Sequence, residues 1–573
     1  MGAVVQQGLE SGRARAARRQ RVRGMAAGWL VAVLAAAGLA AGAVAQAQDK
    51  PGVKPGGTLI IGQYQEPTVY DPNRQYSWET YRVDKHIYES LVAEDLGRPA
   101  KDGPPPLVPA LAERWEVSAD ARTFTFFLRR NVKFHDGTDF DAEAVRFNVR
   151  RFTDTAFEFY DARAAATMKP VYGKLEALKV IDRYTVQYVF KAPFIDFPRL
   201  LPQGNYVSGI FSPAALKKHG QDGLALNPTG TGPYKFVSYT PGDRVIMERN
   251  DGYWGEKATW DKVNYRYINN AAARTAALLA GDVDVIDKVS VSDLARLKNA
   301  PNVTVYPYDG LRVMLLQPSF NPAPNAFITD NAGKPLPKNP LLDQRVREAL
   351  NLAINRGAIV DRILQDAATE ANQWMPKNTY GYNPDIKNIP FDAAKAKKLL
   401  ADAGFPEGFK LTMHVPNDRY PQGPETAQVV AQFWTRIGVK TQVEVVPWAV
   451  YSGRANKNEY AMSMLAWGNG TGEASYALVN VLATVDAKKG LGASNWGHYS
   501  NPAVDKALTE STEEFDMAKR ESILRQSAKV VSDDVGIIPL FHYRNIWAAK
   551  KGLKVTPFSS DRTTASMVTK VAP

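Results

Sequence analysis

The chain has 573 residues, 45% of them apolar and 23% charged, a balance typical of globular rather than disordered proteins. That length exceeds one simple core, so two to four domains are expected. The absence of cysteine excludes disulfides, thiolate metal sites, a cysteine nucleophile and an N-terminal lipidated cysteine.

Arg13, Arg15, Arg18, Arg19, Arg21 and Arg23 precede an apolar, Ala-rich run from Met25 to Val44. The small-residue patterns Ala43-Val44-Ala45 and Ala45-Gln46-Ala47 end the run. Basic, apolar and small-residue parts in that order build a secretory signal. Residues 1–47 are therefore expected to be a cleaved signal peptide, leaving a periplasmic protein that is not a lipoprotein. The alternative is a membrane anchor, since about twenty residues can span a bilayer; against it, most of the run is weakly apolar Ala and Gly. Arg18-Arg19 raises twin-arginine export beside the general route, but Gln20-Arg21-Val22 lacks the apolar pair such signals carry. The segment holds six arginines and one glutamate, so its removal lowers the net charge from +12 to +7. No Lys/Arg cluster remains beyond it, and nucleic acid is not an expected partner despite a pI near 9.3.

Thr58-Leu59-Ile60-Ile61 reads as a short strand ended by Gly62. Ser77 to Leu91 reads as a helix with Val83, Ile87 and Leu91 on one face. Lys101 to Pro106 is a loop. Thr123, Thr125 and Phe127 alternate with Phe124 and Phe126 as a strand, and Asp136-Gly137 signals a tight turn. Thr138 with Asp141 resembles a capping box ahead of a helix through Val145 and Val149. Val186, Tyr188 and Phe190 alternate as another strand, and Ser212-Pro213 starts a helix.

From Thr229 the texture changes. The glycine-rich Thr229–Phe236 turn leads into a strand; helix Ala271–Ala280 stops at Gly281, and Asp282–Ile286 is again a strand. That order implies parallel pairing. Asn321–Pro340 is a Pro- and Asn-rich surface loop or insertion. Helices are expected near 343–355, 392–403, 424–437 and 517–532, with Gly404 and Gly438 as C-caps. Strands are expected near 410–415, 439–446, 460–466 and 537–541. The class is α/β, with an antiparallel-rich portion around 107–190. In open α/β sheets ligands sit beyond the carboxyl ends of strands. This singles out the loop Trp467-Gly468-Asn469-Gly470-Thr471-Gly472-Glu473, with its aromatic face, three glycines permitting close backbone approach, and polar Asn, Thr and Glu groups.

Catalytic templates are missing. There is no Gly-x-Ser-x-Gly elbow, no phosphate loop and no His-Glu-x-x-His, and Gly468, Gly470 and Gly472 have the wrong spacing for a dinucleotide fingerprint. The six histidines are far apart without metal spacing, and His135 reads as a structural histidine. No enzyme, metal or cofactor is expected; a secreted hydrolase with carboxylates assembled by folding remains the rival.

Several segments converge in order: Gly56-Gly57-Thr58-Leu59, Glu66-Pro67-Thr68-Val69-Tyr70-Asp71-Pro72, Ile87-Tyr88-Glu89-Ser90-Leu91-Val92, Pro109 to Val117, Phe124 to Arg129, and Val132 to Gly137. Gly230-Thr231-Gly232-Pro233-Tyr234, Arg345 to Leu350 and Tyr499 to Asp505 follow. With these the sequence closely resembles the extracellular solute-binding proteins, family 5, of peptide/nickel/opine-type ABC importers. The resemblance implies a two-lobed periplasmic binding protein, hinged like a Venus flytrap, with an extra α+β domain inserted in the first lobe. Mapped here, the first lobe comprises 50–92, 206–310 and 533–573, the inserted domain 93–205 and the second lobe 311–532. It also implies a peptide or peptide-like ligand, membrane permease subunits and cytoplasmic ATPases; a monomer is expected. An opine, glycoconjugate or metal chelate is the alternative ligand.

In dipeptide-binding members an Asp shortly after the Trp of the Trp467 loop holds the ligand ammonium; that position is Gly470 here. Asn469 offers one acceptor, and Glu473 is the neighbouring acid that would replace the charge. Arg419 lies in the loop where dipeptide-binding members place an Arg for the ligand carboxylate, a task suited to a guanidinium fork. Trp467 is expected to line the cleft, with Tyr64 and Gln65 facing it from the other lobe. Trp374 and Trp496 are alternative cleft aromatics, and each reads equally as packing.

Overall fold

The computed structural model describes residues 56–571, apart from 68, 75–77, 96–105, 203–207, 378 and 418. The expected secretory signal, Ser77, most of the Lys101–Pro106 loop and Asp418 lie outside the described residues.

Strand Thr58–Gln63 lies between two parallel neighbours, Lys262–Tyr267 and Val285–Ile286. Leu59 and Ile61 point into the first-lobe core with Trp260, Val263 and Tyr265. The parallel pairing expected from the strand–helix–strand order thus goes to Thr58–Gln63. Strand Tyr234–Thr240 instead folds back on Arg244–Arg249 as an antiparallel hairpin, because Pro241-Gly242 turns the chain before any helix intervenes. Helix Trp78–Ile87 buries Val83 and Ile87 but stops before Leu91. The next residues are taken up by other partners: Glu89 bridges to Ile210, and the Gly232 N–H donates to the Ile87 carbonyl at 2.9 Å.

A separate antiparallel sheet orders Ala112–Val117, Thr123–Leu128, Thr185–Phe190 and Leu175–Asp182 side by side. Phe124, Phe126, Val186, Tyr188 and Phe190 occupy its buried face, as their alternation requires. Phe197 packs edge-on or tilted against Phe124, Tyr188 and Phe190 at 4.6–5.2 Å. Helix Ala142–Thr153 covers this core, capped by the Asp141 carboxylate, which accepts from the N–H groups of Glu143 and Ala144. Thr138 does not cap it; its hydroxyl donates to Asp136 at 2.6 Å across the tight turn.

Two long strands, Val303–Pro318 and Ile538–Lys550, pair antiparallel from Val303 with Lys550 to Leu316 with Ile538. At one end Val285–Ile286 joins the ribbon through Ala548 and Ala549. At the other, Met462–Gly468 pairs with Arg312–Pro318, and Phe409–Pro416 pairs parallel with Met462–Gly468. One sheet therefore runs past both large cores, and this ribbon joins its two halves. Helices Gln344–Leu352, Ala393–Asp402 and Gly423–Arg436 pack on the second lobe close to their expected spans. Gly281 ends its helix with φ of 86°, a left-handed C-cap.

Candidate functional site

The crossing ribbon is irregular where the lobes meet. Asp309 faces Arg544 and Val313 faces His542, so Gly310, Leu311 and Arg312 stand opposite the single residue Tyr543. Such a bulge re-aims side chains. Leu311 uses its carbonyl to receive the Asn469 N–H at 2.8 Å, which ties the Trp467 loop to the bulge. Arg312 faces Gly468 in the register, and a Cβ on Gly468 would lie 3.8 Å from the Arg312 Nε.

A cavity of about 380 Å³ opens here, lined from both lobes. The first lobe supplies Asp287, Lys288, Ser290, Trp547 and Asp561; the crossing and second lobe supply Arg312, Pro421, Gln422, Tyr543 and Arg544. Its first-lobe wall is a closed charge network. Arg82 donates to Asp287 at 2.9 Å, Thr563 donates to the same carboxylate oxygen at 2.5 Å, and Lys288 pairs with Asp561. Burial alone would lift the Asp561 carboxyl. Lys288, Arg82 and Arg312 outweigh it and hold that group well below the usual carboxylate range. Tyr64, the expected cleft residue at the end of the first strand, lies beneath both cations, 5.1 Å from Arg82 and 5.3 Å from Lys288. Gln65 is exposed and receives a bond from Gln63 on its carbonyl.

The Trp467 loop lies outside this lining and meets the site through Gly468, which stands opposite Arg312. Asn469 is fully buried; its amide nitrogen donates to the Trp374 carbonyl at 3.1 Å, while its Oδ1 has no hydrogen-bond partner among the described residues. The same holds for the indole N–H groups of Trp374 and Trp467. Trp467 is half-buried against Tyr476, with ring centroids 5.3 Å apart. Gly470 presents only backbone, and its carbonyl receives Arg562 from the first lobe at 3.5 Å.

Glu473 is buried and engaged. Arg520 meets its carboxylate at 2.5 Å, and Ser475 donates to it at 2.6 Å. Burial and the nearby Asp196 raise its pKa, while Arg520 opposes them. Arg419 is exposed, with its guanidinium 4.9 Å from the Trp448 ring centre, and lies outside the cavity lining. Trp496 packs against Trp448 and Tyr451 and donates its N–H to Asn456 at 2.8 Å. Trp374 is 2% exposed within the same second-lobe core. The structure thus gathers Tyr64, Trp467, Asn469 and Gly470 about the junction of the lobes. It adds Arg312, Lys288, Asp287, Asp561 and Arg82, which sequence reasoning missed. One signal was available for Arg312: it is the lone charge in Leu311-Arg312-Val313-Met314-Leu315-Leu316.

Among the described residues no group of three His, Asp or Glu side chains is placed to hold a metal ion. No helix there is long and apolar enough to cross a membrane.

Heme-binding protein A of Haemophilus influenzae is 27% identical over 528 residues, covering 88% of this chain and 91% of that protein. The dipeptide-binding protein of Escherichia coli K12 is 26% identical over 525 residues, covering 87% of this chain and 91% of its own length. Among solved structures, the ABC transporter-associated periplasmic binding protein of Helicobacter pylori in complex with peptide STSA superposes with a TM-score of 0.68 at 26% identity. That match covers 90% of this chain and 98% of the other. The family described as bacterial extracellular solute-binding proteins, family 5 Middle, matches residues 106–489. This chain belongs to the bacterial extracellular solute-binding proteins of family 5.

Proposed function

We propose that the chain is the substrate-binding component of an ABC importer, capturing a peptide-like solute in the periplasm and handing it to membrane permease subunits driven by cytoplasmic ATPases. It works by binding and release, with no bond made or broken. The observation that carries this reading is the cavity between the lobes, lined by charged and polar side chains from both sides. A peptide offers such a lining both backbone polar groups and charged ends. The dipeptide-binding and peptide-bound relatives support the same ligand class. Ligand that bridges both walls stabilises the closed arrangement, which the permease then recognises. The separate sheet and core of the Phe124 region support a division into a discontinuous first lobe, a domain inserted at 93–205 and a second lobe at 311–532.

A second reading, a non-peptide solute such as an opine, glycoconjugate or metal chelate, is favoured by one feature. Gly470 has no carboxylate, and Glu473, the acid of the loop, is occupied by Arg520, so no free carboxylate in 467–473 awaits an ammonium. Native mass spectrometry on protein purified from its own periplasm, followed by denaturing release, separates the two. An intact peptide is the expected finding; an intact non-peptide solute keeps the receptor and discards the peptide. A solute that is cleaved on prolonged incubation would indicate a hydrolase instead.

A further inference from the structure

The cations around the cavity are not equivalent. Lys288 is paired with Asp561, Arg82 with Asp287 at 2.9 Å, and Arg544 with Asp309 at 3.0 Å. Arg312 makes no hydrogen bond and no ion pair among the described residues, although it is half-buried and lines the cavity. Residues 313–316 beside it in the strand are fully buried and apolar. A guanidinium has five N–H donors in a planar fork, and those of Arg312 stay open to the cavity rather than sealed in protein. The bulge at Gly310–Arg312 is what turns this residue into the cavity, and Gly468 opposite leaves it room. Each of the other three cations has a carboxylate in contact, whereas Arg312 feels Asp561 without touching it and is the cation left open at the ribbon. At the Trp467 loop the unmet atoms are neutral.

We propose that Arg312 is the anchor for a carboxylate of the solute, held in two-point fashion, and that this protein selects carboxylate-bearing ligands whose other end is recognised without an ammonium-binding acid of the Trp467 loop. The inference rests on the reading of this cavity as the solute site, and it assigns to the crossing strand the task that the Arg419 loop was expected to perform.

The test is competition. A casein hydrolysate is mixed with an equal amount of the same hydrolysate methyl-esterified, and the full chain is incubated with the mixture. Bound species are then read by native mass spectrometry. The wild-type protein is expected to retain free acids over their esters by tenfold or more. In Arg312→Gln the preference should fall below twofold, and in Arg312→Lys, which keeps the charge but loses the fork, it should be intermediate. Arg312→Lys also carries the test should the Gln variant fail to fold. Equal retention of acid and ester by the wild type, or an undiminished preference in both variants, overturns the inference and leaves the importer reading intact. Retention of nothing from either half by the wild type overturns the peptide reading and this inference with it.

Discussion

At the residue scale, partners many positions away decide what a side chain is free to do. Glu473 looked like an ammonium anchor because it follows a glycine-rich loop. Arg520, 47 residues later, takes its carboxylate, and no local pattern encodes that pairing. Arg419 was placed by the resemblance alone, and its guanidinium lies over Trp448. Arg312, by contrast, was visible as a charge interrupting an apolar run, but only the bulge explains where it points. His86 shows the same dependence on distant partners. Its Nε2 accepts the Ala565 N–H at 2.9 Å, which only the uncharged ring can do. Burial lowers its pKa to about 4 in the folded protein, against about 6.5 when unfolded. The unfolded chain therefore takes up the proton first as the pH falls, so the stabilisation is complete above pH ~6.5 and fades toward pH 4. The advantage of wild type over His86→Gln in urea unfolding should shrink by about 2 kcal/mol between pH 7 and 5. A difference that does not change with pH would refute the neutral-ring account.

At the scale of elements, periodicity served where a segment buries one face. Phe124 and Phe126, or Val186, Tyr188 and Phe190, announce their strands because a half-buried strand must alternate. Helix spans were legible for the same reason, within a few residues. Pairing was not: which strand receives Val285–Ile286 depends on Thr58–Gln63, more than 200 residues earlier. Nor was the length of Ile538–Lys550, since its second half is buried by strands of the other lobe and shows no alternation. The crossing ribbon makes one sharp demand on sequence. A Cβ on Gly310 would come within 2.6 Å of the Tyr543 carbonyl and 3.0 Å of Asn545 Oδ1, too close for any unshifted backbone. Gly310→Ala should therefore force the ribbon apart at the bulge, costing about 1–3 kcal/mol in unfolding free energy and weakening solute binding together with it. An alanine variant as stable and as avid as wild type would mean the ribbon yields there without penalty.

At the scale of the whole molecule, two polar contacts join parts of the chain that the proposed division assigns to different bodies. Arg562 reaches from the first lobe to the Gly470 carbonyl, and Asp196, beside the Phe-rich core, approaches Arg520 of the second lobe at 3.4 Å. Asp196 is 38% exposed, so its pairing adds little to folding stability. On the proposed division it joins two bodies, and there it would contribute to closure. Asp196→Ala should leave the unfolding midpoint nearly unchanged, lower solute affinity by roughly two- to fivefold, and enlarge the radius of gyration of the solute-free protein. Small-angle X-ray scattering with and without solute measures the last; an unchanged radius and affinity would remove Asp196 from the closing mechanism.

The route of the chain through the crossing ribbon also fixes an order of assembly. The second lobe is one uninterrupted stretch between the two crossing strands and can form its core as soon as it has been synthesised. The core around Thr58–Gln63 is instead enclosed by residues some five hundred positions later. Trp260 donates its indole N–H to Val568, Tyr265 its hydroxyl to Thr563, and Ile286 finds its strand partner in Ala548. Such distant pairings pay their loop-closure entropy before they return any stability. An early strand thus waits on a late stretch of chain, its apolar positions uncovered until residues 547–568 reach them.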